Sequence, residues 1–494
     1  MSATDAHPHD RAAHHPPPPP RRWAALAVIC LAQFMLVLDV TVVNVALPDL
    51  AAELDLGRAA LTWVVTAYTL AFGGLMLLGG RLADALGTRR VLLAGLAVFT
   101  AASLVTGLAQ SAELLIGGRL AQGVGAALLS PAALAVVTTS FHGPERNRAL
   151  GVWAAIGGTG SAFGVLIGGA LTEGPGWQWV FYVNVPVGLA VLAAIPALVP
   201  AVGPKDPAVN NTAGAAARLD VPGALLVTAA TGSLIYGLVR AGDDGWSDAV
   251  TLLALVGSAA LYAAFAAVER ASRAPLMDLR MLTRRPVVAG SFLMLVATAL
   301  LISFFFLGST YLQHVRGFGP LKTGLVFLPV AVGVGLGAHL GSRLVGRIGS
   351  RACAVGGTAV ATAGAVPLAL LSEDSSVSGV FVPGLVVASL GVGAVFVTAT
   401  TTALAMVAHE EAGLASGVVN TFHEVGASVG VAVVSTVAAA GIGAGASAGA
   451  SAGATAGFTD AYALLAVVAG ISALVSVALV PRGRPDTTGV PHAH

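Results

Sequence analysis

The fold is decided by the stretch RLADALGTR, from Arg81 to Arg89, because it returns as RLVGRIGSR from Arg343 to Arg351. Both copies follow the order R-L-x-x-x-[LI]-G-[TS]-R, and each lies between two long apolar segments. Membrane topology alone can produce short arginine-rich loops, but the shared order of residues favours a duplication. The sequence therefore predicts two halves that repeat one set of elements in the same orientation.

Composition places these elements in a lipid bilayer. Of the 494 residues, 56% are hydrophobic and only 10% are charged, which is far more apolar than a soluble domain. A transmembrane helix needs about 20 mostly apolar residues, and long apolar runs exclude a membrane β-barrel. The first run contains Asp39 and is too long for a signal peptide. We count fourteen candidate spans: 23–47, 60–80, 90–109, 112–139, 149–171, 178–199, 220–240, 249–268, 287–312, 321–341, 352–371, 379–407, 412–440 and 458–480.

The repeat orders these spans into an all-α polytopic membrane protein. If the two arginine loops correspond, spans one to six match spans nine to fourteen, and spans seven and eight are an insertion. Two six-helix bundles related by a parallel repeat are one arrangement of membrane transporters. The predicted parts are a tail (1–22), a first bundle (23–199), a linker with two inserted helices (200–285; helices at 220–240 and 249–268), a second bundle (286–480) and a tail (481–494).

Basic residues orient the chain. With both termini in the cytoplasm, twenty of the 25 Lys and Arg residues lie inside and Arg119 lies within a span, which leaves only Arg58, Arg240, Arg316 and Lys322 outside. The net charge of +1 predicts no nucleic-acid partner. Two cysteines are too few for a disulfide framework, and we assign no metal site to the histidines of the tails.

The fifth span carries a ladder of small residues. Gly157, Gly160, Gly164 and Gly168 fall within one narrow arc of a helix, and Gly169 follows. Small residues let two helices approach at backbone distance in lipid. We therefore expect Gly160, Gly164, Gly168 and Gly169 to form a tight helix contact that matters for conformational change.

Several motifs resemble one transporter family. They are LDVTVVNVALP (38–48), GRLADALGTRR (80–90), RLAQG (119–123), the entry WQWVF (177–181) through Asn184, and the glycine order from Gly151 to Gly169. Together they resemble the fourteen-span drug:proton antiporters of the major facilitator superfamily. The chain departs from that pattern at Ala85 and Thr88, at Val165 in place of a proline, and at His423-Glu424 in place of Arg-Gln.

The resemblance implies a fold of fourteen helices, a proton-coupled cycle without a cofactor, and a gating role for the first arginine loop. On that basis we assign conformational roles to Gly80, Asp84, Gly87, Arg89 and Arg90. We expect the Asp84 carboxylate to cap a helix or to pair with arginines as the bundles rock.

Ionisable groups inside the bilayer are functional candidates by default, because each costs about 2.5–3.5 kcal/mol at mid-helix. We weigh four of them as candidates: Asp39, Arg119, His339 and Glu424. Burial of Asp39 suits it to carry a proton, although a static hydrogen bond that shapes span one is the alternative. Arg119 would stabilise the ionised form of Asp39, or else serve as a packing or gating residue. His339 is the weakest of the four candidates.

Substrate contacts are expected on the polar stripe of span thirteen. Asn420, His423 and Glu424 share that stripe with Gly417 and Ala427. Glu424 is interpreted as a second protonation or cation-binding site, or as a side chain that merely pairs with His423. We add Gln122, on the same stripe as Arg119, and Asn44, in the span-one motif, to the residues that contact substrate.

The sequence thus predicts a proton-driven exporter of amphiphilic small molecules in a bacterial plasma membrane, and not an enzyme. Its partners would be lipid, a small-molecule substrate and protons, and we expect a monomer. A proton-coupled importer of a metabolite is the alternative within transport. A redox or haem subunit would need histidines in facing spans, a channel would need a repeated polar filter, and an ATP-driven pump would need a P-loop.

Overall fold

A computed structural model gives the fold of the chain. It describes residues 22–56, 58–141, 143–199, 221–272, 279–372, 375–405, 407, 412–445 and 450–482. These residues form helices and no strand, so the prediction of an all-α protein is confirmed. The tails at 1–21 and 483–494, and the loop at 200–220, lie outside the described residues.

Fifteen α-helices follow one another along the described chain. The first seven are α1 (Arg22–Glu53), α2 (Arg58–Leu86), α3 (Thr88–Gly107), α4 (Ala112–Ser140), α5 (Gly143–Glu173), the single turn α6 (Trp179–Tyr182) and α7 (Asn184–Leu198). Then come α8 (Val221–Asp243), α9 (Ala249–Ala271), α10 (Arg285–Thr310), α11 (Pro320–Ile348), α12 (Ser350–Ala369), α13 (Val382–Ala403), α14 (Ala412–Gly445) and α15 (Ala450–Leu479). A 3₁₀ segment (Leu279–Thr283) and two π turns (Tyr311–Val315 and Val377–Phe381) lie between them.

The helices are long enough to cross a membrane. Thirteen stretches in the described chain have the required length and hydropathy, with α6 and α7 joined as Trp179–Leu198. The helix α5 is 31 residues long and completes the set, although several of its side chains lie outside the described ones. This agrees with the fourteen spans predicted from the sequence.

The two arginine loops have the same backbone turn. Gly87 has φ = 95° and Gly349 has φ = 87°, a conformation that residues with a side chain rarely adopt. Each glycine donates its N–H over 3.1 Å to the carbonyl four residues earlier, on Ala83 or Val345. The next helix begins at once in both cases. The repeated glycine therefore reverses the chain between two antiparallel helices.

Helix packing follows the same scheme in both halves. In the first half α1 packs on α5 and α7, while α2 and α3 pack on α4; in the second half α10 packs on α14 and α15, while α11 and α12 pack on α13. The halves meet along two equivalent seams, α5 with α11 and α2 with α14. The inserted helix α8 packs against α2 and α14, and α9 packs on α8.

The glycine ladder lies against α1. A Cβ atom on Gly160 would come within 2.6 Å of Val37 Cγ1, and one on Gly164 would collide with the side chain of Thr41. Gly168 and Gly169 are buried, whereas the surroundings of Gly157 and Val165 lie outside the described residues. Two glycines therefore set the closest approach of α5 to α1, as small residues do at helix contacts in lipid.

Candidate transport site

A buried carboxylate forms the centre of the first half. Asp39 in α1 has no exposed surface. Its Oδ2 accepts a hydrogen bond from Arg119 Nη1 over 2.5 Å, and its Oδ1 accepts from Gln122 Nε2 at 3.0 Å and from Asn184 Nδ2 at 2.9 Å. An ionised carboxylate needs such donors in a low-dielectric interior. Both oxygens of the Asp39 carboxylate are therefore supplied with hydrogen-bond donors.

Arg119 in α4 is held on several sides. It is 1% exposed, and its Nε donates to the Val64 carbonyl at 3.1 Å while Nη1 also reaches Gln122 Oε1 at 3.1 Å. The guanidinium carbon lies 4.3 Å from the centre of the Tyr68 ring, a cation–π contact. The pair of Arg119 and Asp39 is electrically neutral, and removing the charge of one partner leaves the other buried and uncompensated.

The network contains residues that the sequence analysis did not assign. Asn184 at the start of α7 and Ser103 in α3, which accepts from Gln122 Nε2 at 2.8 Å, are both buried. Gln122 itself is fully buried in this network and is not among the residues of the cavity wall; its contact with substrate stays a prediction. Its amide group bonds Asp39 and Ser103 in the interior of the first half. The side chain of Asn44 lies outside the described ones.

A cavity of about 390 Å³ separates the two halves, within the usual size of small-molecule sites. Its wall is mostly apolar and includes the aromatic side chains of Phe72, Trp153, Phe306 and Phe396. Val40 and Thr41, the two residues that follow Asp39, belong to this wall. The buried carboxylate is thus adjacent in the chain to residues of the wall that a substrate would contact.

The polar stripe of α14 faces this cavity. Asn420, His423 and Glu424 all line it. His423 Nδ1 lies 3.1 Å from Glu424 Oε1, with side-chain exposures of 35% and 14%, and Asn420 Nδ2 donates to Ser130 Oγ at 3.3 Å. Among the described residues of the wall, Glu424 is the one carboxylate, and none is Lys or Arg. The wall therefore presents a single acidic group in apolar surroundings.

The inserted helix α8 contributes to the same wall, which the sequence had not indicated. Leu238, Val239 and Gly242 line the cavity, and a Cβ on Gly242 would lie 3.1 Å from Ser435 Oγ in α14. Trp246 Nε1 donates to Thr436 Oγ1 at 3.0 Å. The insertion is thus part of the enclosure of the cavity.

The first arginine loop contacts the second half. Leu414 N, in the first turn of α14, donates to Asp84 Oδ2 at 2.8 Å, a helix-capping contact of the kind expected for this carboxylate. Gly80 is buried, Arg89 is half-buried and Arg90 is exposed. His339 is exposed and is not a lining residue of the cavity. Within the described residues no group of three or more His, Cys, Asp or Glu could hold a metal ion.

The geometry agrees with comparisons to known proteins. The chain is 40% identical to the puromycin resistance protein pur8 of Streptomyces alboniger over 83% of this chain and 80% of that one. It is 38% identical to the cephamycin export protein CmcT of Amycolatopsis lactamdurans over 82% and 83% of the two chains. The solved proton:xylose symporter XylE shares the fold, with a TM-score of 0.65 and 13% identity over 95% of this chain and 98% of that one.

A sequence model of the Major Facilitator Superfamily matches residues 29–431. The resemblance noted in the motifs is therefore confirmed at the level of the family. The chain belongs to the Major Facilitator Superfamily and is a multi-pass membrane transporter, not an enzyme.

Proposed function

We propose that this transporter exports amphiphilic small molecules in exchange for protons. Relatives that match most of the chain carry the names puromycin resistance protein and cephamycin export protein, which supports drug or antibiotic export. The observation that carries proton coupling is the position of Asp39, fully buried, paired with Arg119 and adjacent to the cavity wall. A carboxylate in that position can alternate between a neutral form that carries a proton and an ionised form that pairs with Arg119.

Protonation of Asp39 changes the charge balance of the first half. With Asp39 ionised, its charge cancels that of Arg119; with Asp39 neutral, Arg119 is left buried with one uncompensated positive charge, which is costly in a low-dielectric interior. That cost favours a conformation in which Arg119 gains other partners or water. Proton binding thereby changes the relative stability of the two conformations in which the halves pack differently, as alternating access requires.

The energy available is sufficient for uphill export. A membrane potential of 100 mV contributes about 2.3 kcal/mol for each charge that moves inward, and a pH gradient adds to it. One proton per cycle would therefore support a concentration ratio of roughly fifty for a neutral substrate, since 1.4 kcal/mol corresponds to a factor of ten.

Substrate preference follows from the cavity wall. The apolar and aromatic residues suit amphiphilic compounds, and Glu424 places a carboxylate in that surface. A charge in apolar surroundings interacts more strongly than one in water. Glu424 should therefore favour cationic over neutral substrates, with Asn420 and His423 as polar neighbours.

We place the protein in a bacterial plasma membrane, because the named relatives are bacterial, with both termini in the cytoplasm on the evidence of the basic residues. The protein should act as a monomer without a bound cofactor, since the proton gradient supplies the energy.

The direction of transport can be measured in inverted membrane vesicles that contain the full chain. An acid vesicle interior should drive uptake of a lipophilic cation, and a protonophore should abolish it. A proton-coupled importer would instead move preloaded substrate out of the vesicle together with protons. Outward movement of that kind would contradict export and support proton-coupled import.

A further inference from the structure

A buried hydroxyl group lies on α2, a helix that contacts Arg119 of the Asp39 network and also contributes residues to the cavity wall. Tyr68 in α2 is 1% exposed, and its hydroxyl has no hydrogen-bond partner among the described residues. A buried polar group without a partner destabilises the folded state. Such a group in a native protein requires an explanation, and its surroundings offer one.

One side of Tyr68 faces the proton-coupling pair. The ring lies against the Arg119 guanidinium, 4.3 Å from its carbon atom, and the same guanidinium donates to Asp39. Tyr68 therefore lies close enough to respond when Asp39 gains or loses its charge.

The same residue contacts the cavity wall. The Tyr68 ring centre is 5.5 Å from that of Phe72, a residue of the wall. Helix α14, which carries Glu424, packs closely on α2: a Cβ on Gly73 would lie 3.5 Å from Glu424 Cβ. Tyr68 thus contacts Arg119 on one helix and lies on the helix that packs against Glu424.

We propose that Tyr68 is a positioning residue that links the charge of Asp39 to cation binding at Glu424. This inference rests on the proposed function. With Asp39 ionised, Arg119 is committed to it and the hydroxyl is free. When Asp39 becomes neutral, the Tyr68 oxygen accepts a hydrogen bond from Arg119, and its O–H then donates towards Glu424. That donation competes with a bound cation, so a proton at Asp39 and a cation at Glu424 exclude one another.

The charged groups around Tyr68 are few. The middle of α3, from Val91 to Gly107, contains no titratable residue. Helix α8 presents Tyr236, which stacks on Trp63, and Arg240, which pairs with Asp244. Away from their ends, the other neighbouring helices carry Cys30 and Asp39 on α1, Arg119 on α4, and His423 and Glu424 on α14. The further charged residues of α1, α4 and α8 lie near the helix ends: Arg22, Asp49, Glu53, Glu113 and Asp243.

A double-mutant cycle tests the link at a single pH, so that neither His423 nor Glu424 changes its protonation between samples. The probe is tetraphenylphosphonium, whose charge does not titrate, and its affinity is measured at pH 8 for the purified full chain in lipid nanodiscs. Asp39→Asn imitates the neutral acid. It should weaken binding about tenfold in the native chain, within the usual range of coupling between sites, but less than threefold in the Tyr68→Phe background.

The chain offers a matched control in Tyr462→Phe. The Tyr462 hydroxyl is also buried without a hydrogen-bond partner in the described chain, but it lies among the aromatic rings of Phe304 and Phe381. This variant should leave the tenfold effect of Asp39→Asn unchanged. Tyr68→Phe keeps the ring and removes one unpaired oxygen, so we expect it to fold, as the thermal midpoint in detergent would report.

An equal loss of affinity in the native and Tyr68→Phe backgrounds would overturn the role of Tyr68. Absence of any effect of Asp39→Asn in the native background would overturn it as well, since there would be no coupling for Tyr68 to transmit. Gradient-driven uptake by the native chain is measured in parallel, in sealed proteoliposomes made from the same purified protein. Loss of that uptake contradicts the proposed exporter, whereas intact uptake with an unchanged cycle contradicts only the link through Tyr68.

Discussion

The two halves share a backbone plan but differ in their interiors. The first half buries the ionic network of Asp39 and Arg119, whereas the second buries a cluster of aromatic rings that includes Phe304, Tyr311 and Tyr462. Helix α10 carries no Asp, Glu, Lys or Arg beyond its first residue, and α13 carries none at all. The repeat therefore determines the packing of both halves, while among the described residues the buried ionic network belongs to the first half.

Within the proposed function, the first half serves proton coupling and the second half serves substrate selection. Asp39, the proposed proton carrier, is buried in the first half and is not a residue of the cavity wall, whereas the next two residues in the chain, Val40 and Thr41, belong to that wall. The second half supplies the acidic group that faces the cavity, Glu424 on α14. The same backbone repeat thus allows coupling and substrate selection to be changed separately.

The largest expected effect comes from forcing apart the helices that hold Asp39. Gly164→Leu would place a bulky side chain against Thr41 in α1, and overpacking of this kind costs about 3 kcal/mol. Transport should be lost and the thermal midpoint of the purified protein should fall. The control is Gly356→Leu in the second half, where nothing lies within 4 Å of the added Cβ. Normal transport by Gly164→Leu would mean that the close contact does not exist.

A smaller and selective effect is expected at the cavity wall. Glu424→Gln removes the carboxylate that we assign to cation recognition and should weaken resistance to lipophilic cations about tenfold, with neutral substrates nearly unaffected. Resistance of a pump-deficient host is the measurement, and Glu173→Gln at the exposed end of α5 is the matched control. Equal loss for both substrate classes would assign Glu424 to coupling or structure. No loss for either would leave it as a bystander paired with His423.

The smallest effect is expected in the arginine loops, at the position where the first loop has Asp84 and the second has Gly346. Asp84 caps α14, but the equivalent position of the second loop is Gly346, which lies near Asn147 of α5 and offers no carboxylate. Asp84→Ala should cost about 1 kcal/mol, the usual value of a helix cap, and should lower the thermal midpoint slightly. The exposed Asp460 provides the control, as Asp460→Ala should change nothing. An equal thermal midpoint for the two variants would mean that the contact of Asp84 with α14 does not stabilise the protein.

Much of the fold could be read from the sequence, because lipid restricts the choices. Long apolar runs must be helices in a bilayer, and the repeated R-L-x-x-x-[LI]-G-[TS]-R order requires equivalent turns, which Gly87 and Gly349 provide. The pairing of Asp39 with Arg119 could be predicted from the sequence, because a charge inside the bilayer needs a partner.

The remaining details of the site depend on how helices face one another. Periodicity places Gln122 on the Arg119 stripe, but one helix alone does not tell whether that stripe faces a cavity or the interior of its own half. Asn184 and Tyr68 are uncharged, so nothing in the cost of burying charge marks them in the sequence. The wall contributed by α8 could not be anticipated either, because the repeat has no counterpart for the insertion.

The proposed transport cycle depends on Asp39 as the carrier of the coupled proton, and substrate-driven proton release in inverted vesicles measures that role. Substrate added to vesicles that hold an acid interior should release protons through the native chain. Asp39→Asn should abolish this release while the protein remains folded in the membrane, because the amide cannot exchange a proton. The control, Asp49→Asn at the exposed end of the same helix, should release protons as the native chain does. Full substrate-driven release by Asp39→Asn would contradict the account.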